Sequence, residues 1–243
     1  MKFAWMTTAI ASTAIAFTGL GATAQALTLN STSGAWGIPT GGANINYQTV
    51  GAENQVRWGI DLGSGQSALG FTGVGASIFN IGDIFQVGSL QHYNNPTGGG
   101  SAISAVPLTV DLNFGDPALM TSFTFNFQVD ETPNAAPCTY PSPVNNPCSD
   151  RISFESAFSP QVFTIDSVEY TLELLGFSNT PEGEILDGFI SDEGGANRTN
   201  LYGRITATRP EEPPVDVPEP TALLGLSMLG LYLAARRQAG QAS

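Results

Sequence analysis

Apolar and polar residues alternate with a two-residue period along the middle of the chain. The longest runs are 106–114, 123–129 and 168–174. In each run every second residue is Val, Leu, Phe or Tyr, the pattern of a strand with one buried and one solvated face. Gly, Pro, Asn and Asp fill the breaks between the runs. Residues 27–209 show no helical stripe, so the sequence predicts an all-β, antiparallel, jelly-roll-like sandwich.

A stretch rich in Gly, Ser and Asn, residues 94–104, divides this region into two portions. A domain boundary there is one alternative. The first portion alone would form a small unit with little buried surface, so we expect a single domain over residues 27–209.

The amino terminus has the pattern of a secretory signal peptide. Lys2 precedes an apolar run, and small residues including Ala24 and Ala26 follow it. A charged start, a short apolar stretch and an A-x-A site predict cleavage by signal peptidase after Ala26, which makes residues 1–26 the signal. The alternative is a permanent amino-terminal membrane anchor.

The carboxyl terminus combines a linker and a second apolar segment. Residues 210–216 are rich in Pro and acidic side chains, which predicts an extended linker. The uncharged run 221–235 would cover about 22 Å as a helix, which is short of the roughly 30 Å hydrocarbon core of a bilayer. The two arginines behind it would stay on the cytoplasmic side.

Residues 217–238 resemble the PEP-CTERM sorting signal of Gram-negative bacteria. The match rests on a proline-bracketed glutamate, an apolar helix and a basic end. The residues that carry it are Val217, Pro218, Glu219, Pro220, Arg236 and Arg237. The resemblance implies that an exosortase, a membrane protease-transpeptidase, processes the tail near Pro-Glu-Pro. The mature protein would then leave the inner membrane for the cell surface or the exopolysaccharide matrix. The alternative is a permanent single-pass anchor.

A second resemblance lies in the body of the chain. Segments 56–59, 66–71 and 87–96 are similar to the THxN group of PEP-CTERM proteins, also described with a choice-of-anchor domain. His92 and Asn94 match the Thr-His-x-Asn motif, whereas Gln91 replaces its threonine. The group has a β-rich body and no established enzymatic activity, so the resemblance implies a fold and a destination.

Cys138 and Cys148 are the two cysteines of the chain. In an exported chain such a pair predicts a disulfide, worth about 3 kcal/mol in the chain-entropy model. A metal pair would need two further soft ligands, and the chain has a single histidine.

Composition removes one class of partner. The formal net charge is −13, from 21 acidic and 8 basic residues, so no nucleic acid is expected to bind.

Catalytic chemistry has little support in the sequence. His92 would have to serve any catalytic triad, and there is no G-x-S-x-G elbow. We expect His92 to be a polar residue at a strand end that hydrogen-bonds a loop. A carboxylate pair for a polysaccharide hydrolase remains an alternative, but Asp111, Glu169 and Glu173 are expected on solvated faces. We therefore predict a protein without enzymatic activity.

Two kinds of ligand remain open. Structural calcium needs oxygen donors in loops, and the candidate segments are 111–116, 130–134 and 192–197. The alternative for these segments is ordinary turn chemistry.

Extracellular polysaccharide is the other ligand considered, because aromatic rings beside amides can stack on sugars. The candidate rings are Trp36, Trp58, Tyr47 and Tyr93. Trp58 alternates with Ile60 and is expected in the core, and structural roles are favoured for the others. The sequence thus predicts an exported, non-enzymatic protein of the cell surface or matrix.

Overall fold

The computed structural model describes residues 26–116, 118–144, 147–154, 161–165, 168–180 and 183–208. Of the predicted signal peptide only Ala26 lies in this set. The predicted linker and sorting tail lie outside the described residues.

Strands make up all the regular structure of the described residues, as the two-residue period predicts. Their bounds are β1 (Ala26–Trp36), β2 (Thr40–Gly41), β3 (Asn46–Val50), β4 (Glu53–Trp58), β5 (Ser67–Gly73), β6 (Ser77–Asn80), β7 (Ile84–Asn94), β8 (Ile103–Asp116), β9 (Ala118–Asp130), β10 (Asp150–Phe154), β11 (Gln161–Ile165), β12 (Val168–Ser178), β13 (Gly188–Ser191) and β14 (Gly195–Thr208).

The strands form two antiparallel sheets. The first has the order β13-β10-β9-β8-β1-β6, with β2 paired to β8. The second has the order β11-β12-β14-β7-β5-β4-β3. Contacts group the described residues up to Ala207 in one compact unit. The prediction of an all-β antiparallel fold is confirmed.

The alternating runs place one face of each sheet in a common core. The five apolar positions of 106–114 in β8 are at most 1 % exposed, and the four of 123–129 in β9 are at most 5 % exposed. In β12 the apolar positions 170, 172 and 174 are buried, while Val168 is partly buried against the core. Burial of these side chains between two sheets is the main stabilising term of such a fold.

Aromatic rings fill the space between the sheets. Phe127 of β9 contacts Trp36 of β1, with ring centroids 5.8 Å apart, and Phe154 of β10, at 5.1 Å. It also faces Phe177 of the other sheet at 6.2 Å. These rings join strands of both sheets.

The described residues contain no helix that is long and apolar enough to cross a membrane. The predicted span 221–235 lies outside them.

Thr32 makes a polar link between the two sheets. It lies in β1 of the first sheet and is 7 % exposed. Its hydroxyl donates to the Val87 carbonyl oxygen of β7 at 2.6 Å and accepts from the Val74 amide at 2.8 Å. The Thr32 amide also donates to the Val74 carbonyl oxygen at 2.9 Å. One buried hydroxyl therefore bonds the Val87 carbonyl of the second sheet and the Val74 amide in the connection that follows β5.

Thr32→Val is expected to lower the free energy of unfolding by about 1–3 kcal/mol, because it removes the hydroxyl partner of the Val87 carbonyl oxygen in β7 and of the Val74 amide just after β5. Urea denaturation monitored by tryptophan fluorescence measures the change.

Thr109→Val is the matched control. Thr109 shares a 2.8 Å hydrogen bond with Thr124 on the solvent side of β8 and β9. We expect it to change stability by less than about 0.5 kcal/mol. Equal losses in the two variants would contradict the role assigned to Thr32.

Candidate functional site: a buried acidic cluster at one end of the sandwich

Four strand ends of the two sheets meet at one end of the fold. Asp150 begins β10 and pairs with Ser191, the last residue of β13, in the first sheet. Asn94 ends β7 and pairs with Gly195, the first residue of β14, in the second sheet. Residues 192–194 connect β13 to β14, and the Gly194 amide donates to the Asn94 carbonyl oxygen at 2.8 Å. This short turn therefore carries the chain from one sheet to the other.

Three carboxyl groups lie at this end. Glu131 follows β9, Asp150 begins β10 and Glu193 lies in the turn between β13 and β14. Asp150 is 0 % exposed and Glu193 is 6 % exposed. These three side chains are named the acidic cluster below.

Hydrogen bonds satisfy only part of the acidic cluster. Asp150 Oδ1 accepts from the Thr132 amide at 2.7 Å and from the Thr132 hydroxyl at 3.2 Å. Asp150 Oδ2, Glu131 Oε2 and both oxygens of Glu193 have no hydrogen-bond partner among the described residues. Buried polar oxygens without partners are rare in folded proteins, so this concentration marks the site.

Burial perturbs the pKa of every member of the acidic cluster. Desolvation, followed by the charges of Asp150 and Glu193, raises the pKa of Glu131 to about 8. Desolvation, offset in part by the Thr132 amide, raises the pKa of Asp150 to about 7. Desolvation also raises the pKa of Glu193. Loss of water and mutual repulsion both disfavour the charged forms.

No arginine in the described part of the chain neutralises the acidic cluster. Each of the four arginines described there, 57, 151, 198 and 204, has a partner elsewhere. Arg57 lies over the Tyr93 ring, and Arg151 pairs with Asp187. Arg198 pairs with Glu53, and Arg204 pairs with Glu173. The charge of the acidic cluster is left without a cationic side chain.

Asn94, the second matched position of the Thr-His-x-Asn motif, lies at this end of the fold. Asn94 is 0 % exposed, and its Nδ2 donates to the Ser191 carbonyl oxygen at 3.0 Å. The same amide lies beside the Asp150 carboxyl, whose pKa it lowers. Asn94 Oδ1 has no partner among the described residues.

His92 does not occupy the position expected from the sequence. It is 0 % exposed inside β7, and its ring stacks on Trp58 with centroids 5.8 Å apart. Neither ring nitrogen has a hydrogen-bond partner among the described residues, so the predicted hydrogen bond to a loop is wrong. Desolvation lowers the pKa of His92 to about 3, which keeps the imidazole neutral. The polar residues of the motif hid the fact that His92 shares the buried face of β7 with Leu90 and Asn94, while Gln91 and Tyr93 on the other face are partly buried.

The structure brings together two of the three segments proposed for calcium. Residues 130–134 contribute Glu131 and Thr132, and residues 192–197 contribute Glu193. The Ser149 hydroxyl ties the segments by donating to Asp192 Oδ1 at 3.0 Å. The third segment, 111–116, is not a loop but part of β8, a correction to the prediction. Asp150 was missed because it starts a strand and carries no local loop pattern.

The predicted disulfide is present beside the acidic cluster. Cys138 and Cys148 are bonded, with Cα atoms 5.2 Å apart, and Cys148 is 1 % exposed. The bridge closes the segment that connects Glu131 to Asp150. It therefore restrains the connection between two members of the acidic cluster.

The carboxylates proposed for hydrolysis are not brought together. Asp111 lies in β8 of the first sheet and accepts a hydrogen bond from the Ser122 hydroxyl on the solvent side. Glu169 and Glu173 lie in β12 of the second sheet, and Glu173 pairs with Arg204 at 3.0 Å. Their predicted solvent-facing positions are confirmed.

The candidate sugar-binding rings separate into buried and accessible ones. Trp36 and Trp58 are core residues at 8 % and 0 % exposure. Tyr93 is partly buried and donates to Glu53 Oε1 at 2.9 Å. Tyr47 is 48 % exposed and donates to the Gly37 carbonyl oxygen at 2.8 Å.

Tyr47 lines a shallow groove of about 450 Å³. The other lining residues are Ala35, Trp36, Gln48, Thr49, Asn54 and Gln55. One exposed ring thus lies at the edge of the second sheet, on the face that also carries Thr49 and Asn54, while Gln48 and Gln55 belong to the other face.

Two comparisons with known proteins give no relative. No family model matches the chain, and no curated protein is similar to it in sequence. Membership of the PEP-CTERM proteins therefore stays a prediction from residues 217–237.

Glu131→Gln is expected to remove part of the pH dependence of stability in buffer that contains a chelator. Folding raises the pKa of Glu131 from 4.5 to about 8, so the folded state binds the proton more tightly. The resulting stabilisation is complete below the unfolded pKa and is lost as the pH rises through about 8. Between about pH 5 and pH 8 the parent should lose on the order of 1–3 kcal/mol more than the variant.

Urea denaturation at both pH values measures the loss of stability in the parent and in the variant. Both proteins contain His92, so its contribution cancels when the two losses are compared. Glu169→Gln is the control, because Glu169 is exposed and should leave the pH dependence unchanged. A parent and a Glu131→Gln variant with the same pH dependence would show that folding does not raise the pKa of Glu131.

Proposed function

We propose that this chain is an exported β-sandwich protein without enzymatic activity that resides at the cell surface or in the exopolysaccharide matrix. The observation that carries the proposal is the Cys138–Cys148 disulfide. Disulfides persist outside the reducing cytoplasm, and the chain has no further cysteine. Export by a signal peptide that ends at Ala26 is consistent with this bond.

The absence of catalysis is supported by where the acid–base groups lie. His92 is enclosed in the core, and the three carboxyls of the acidic cluster are also buried. The exposed carboxylates 111, 169 and 173 are divided between two sheets. A hydrolase would need two carboxyls facing one bound sugar.

The destination rests on the two chain ends. Signal peptidase would remove residues 1–26, the run 221–235 would hold the chain in the inner membrane of a Gram-negative bacterium, and an exosortase would act at Pro218-Glu219-Pro220. The Pro-rich residues 210–216 would keep the sandwich away from the processing site. A jelly-roll arrangement of the sandwich is part of our proposal.

Glu219→Gln is expected to leave the chain in the inner membrane with its tail attached, because the change removes the charge of the predicted recognition motif. Intact mass and terminal peptide mapping of protein from each cell compartment measure this. The parent should begin at Leu27, end near Pro218–Pro220 and be found outside the inner membrane.

Glu211→Gln is the matched control, since it removes the same charge from the linker and should be sorted like the parent. Parental protein that retains Arg236 and Arg237 in the inner membrane would instead establish a permanent anchor. Release of reducing ends from polysaccharide by the purified protein would establish the hydrolase alternative.

A second function, carbohydrate binding, is favoured by one observation, the groove at Tyr47. A half-exposed ring can stack on the apolar face of a sugar, and the side chains of Thr49 and Asn54, on the same face of β3 and β4 as Tyr47, can bond its hydroxyls. The groove lies on β1, β3 and β4.

Tyr47→Ala is expected to weaken binding to the host's own exopolysaccharide at least tenfold, because it removes the stacking ring. Tyr47→Phe should keep the affinity within about threefold, since only the hydroxyl bond to Gly37 is lost. Affinity gel electrophoresis measures both, with the thermal midpoint as the folding control. Unchanged binding in Tyr47→Ala would place any sugar site elsewhere.

A further inference from the structure

The acidic cluster poses a charge problem that the described side chains do not solve. An isolated carboxylate is costly to bury, and three that repel one another are costlier. The nearest neutralising partners would be arginines, and all four described arginines are paired elsewhere. Since no basic side chain of the described residues supplies the missing positive charge, protons or a bound cation are left to supply it.

The unpaired atoms at the site are oxygens of the kind that hard cations bind. Among the described residues, Asp150 Oδ2 and both Glu193 oxygens have no hydrogen-bond partner at normal geometry, although the Asn94 and Asn134 amides lie close enough to lower the pKa values of these two carboxyls. Asn94 adds a neutral donor, because its Oδ1 is buried and unpartnered while its amide lies against the Asp150 carboxyl. Carboxylate and amide oxygens together are the ligand set of Ca²⁺.

The Asn94 oxygen is independent of the acidic residues and points to a ligand by itself. Its Nδ2 already donates to Ser191, so the orientation of the amide is set by a hydrogen bond. A fully buried amide oxygen without a partner carries a cost of about 1–3 kcal/mol, which a bound cation would offset.

We propose that this end of the sandwich binds one divalent cation, calcium by its chemistry, through Asp150, Glu193 and the Asn94 side-chain oxygen, with Glu131 supplying further negative charge. Each sheet would contribute a ligand, Asp150 from the first and Asn94 from the second. The turn that connects the sheets would contribute Glu193. The ion would then join the two sheets where the turn passes between them.

The ligands have to move inward to hold the ion. Among the described residues no three acidic, histidine or cysteine side chains are placed to hold a metal ion as they stand. Mutual repulsion between carboxylates favours such an open arrangement, and rotation of the Glu193 and Glu131 side chains is the change that binding requires. The Asp150 side chain is already fixed by Thr132.

The test is a crossed comparison of calcium and charge removal on the purified full chain, at a pH above the raised pKa values of Glu131 and Asp150, so that the carboxyls of the ion-free protein are charged. For the parent, CaCl2 at about 100 times the dissociation constant should raise the thermal midpoint by roughly 5–10 °C over chelator. Isothermal titration should show one ion per chain, with MgCl2 binding at least tenfold more weakly.

The melting temperatures of Glu193→Gln and Asp150→Asn, compared with that of the parent, should depend on whether calcium is present. In chelator each variant should melt at or above the parent, because one repelling charge is gone. In calcium each should melt below the parent and have lost at least tenfold in calcium affinity. Asp187→Asn is the matched control, since Asp187 is an exposed acidic residue beside Arg151 and should keep the calcium response of the parent.

Three results would overturn the proposal. The first is a parent with no bound ion by titration and the same thermal midpoint in calcium and in chelator, which would leave protonation as the neutralising event. The second is a calcium response that survives in both variants, which would place the ion elsewhere. A variant that fails to fold in chelator would also contradict it, because removal of a repelling charge should stabilise the ion-free protein.

Discussion

The burial of two apolar sheet faces against each other is the interaction on which the rest of this structure depends. Strands β8 and β9 supply long unbroken rows of buried side chains in the first sheet, and β5, β7, β12 and β14 oppose them from the second. Neither sheet could hide its apolar face alone. Polar contacts between the sheets, such as those of Thr32, contribute less and act on a geometry that packing has already set.

The closed core leaves the ends of the sandwich as the places where the chain must cross between sheets. At one end the crossing turn, residues 192–194, is packed against the starts and ends of four strands. Polar side chains in that turn are consequently withdrawn from water. The acidic cluster is the result, and the disulfide restrains the long connection that delivers two of its members.

This arrangement links the proposed destination to the proposed ion. A protein outside the cytoplasm can keep a disulfide, and it also meets calcium at far higher concentrations than a cytosolic protein does. If a cation neutralises the acidic cluster, the stability of the fold would depend on the calcium concentration outside the cytoplasm. The net charge of −13 leaves few basic groups for contacts with anionic matrix polymers. Recognition of such polymers would then depend on aromatic stacking, as at Tyr47, or on bridging cations.

The sequence by itself determined the fold class, the strand faces and the disulfide. Each is a local or compositional property: a two-residue period states which side chains are buried, and two cysteines in one chain have a single possible pairing. Thus positions 106–114 and 123–129 are buried as the alternation predicts. The solvent-facing carboxylates 111, 169 and 173 follow from the same period.

Only the tertiary structure decided what happens where strand ends from different sheets meet. From the sequence, His92 is expected to be a polar residue of a strand end, yet it lies on the buried face of β7, where its ring stacks on Trp58 of the same sheet. Asp150 has no local sign of a site, and it becomes one member of the acidic cluster because β10 starts beside the turn that carries Glu193. Contacts between strand ends bring together residues that are far apart in sequence. The local periodicity of the sequence contains no information about these contacts. The physical reason is that the burial of a charged group depends on every element packed around it, so it cannot be predicted from any single segment of the sequence.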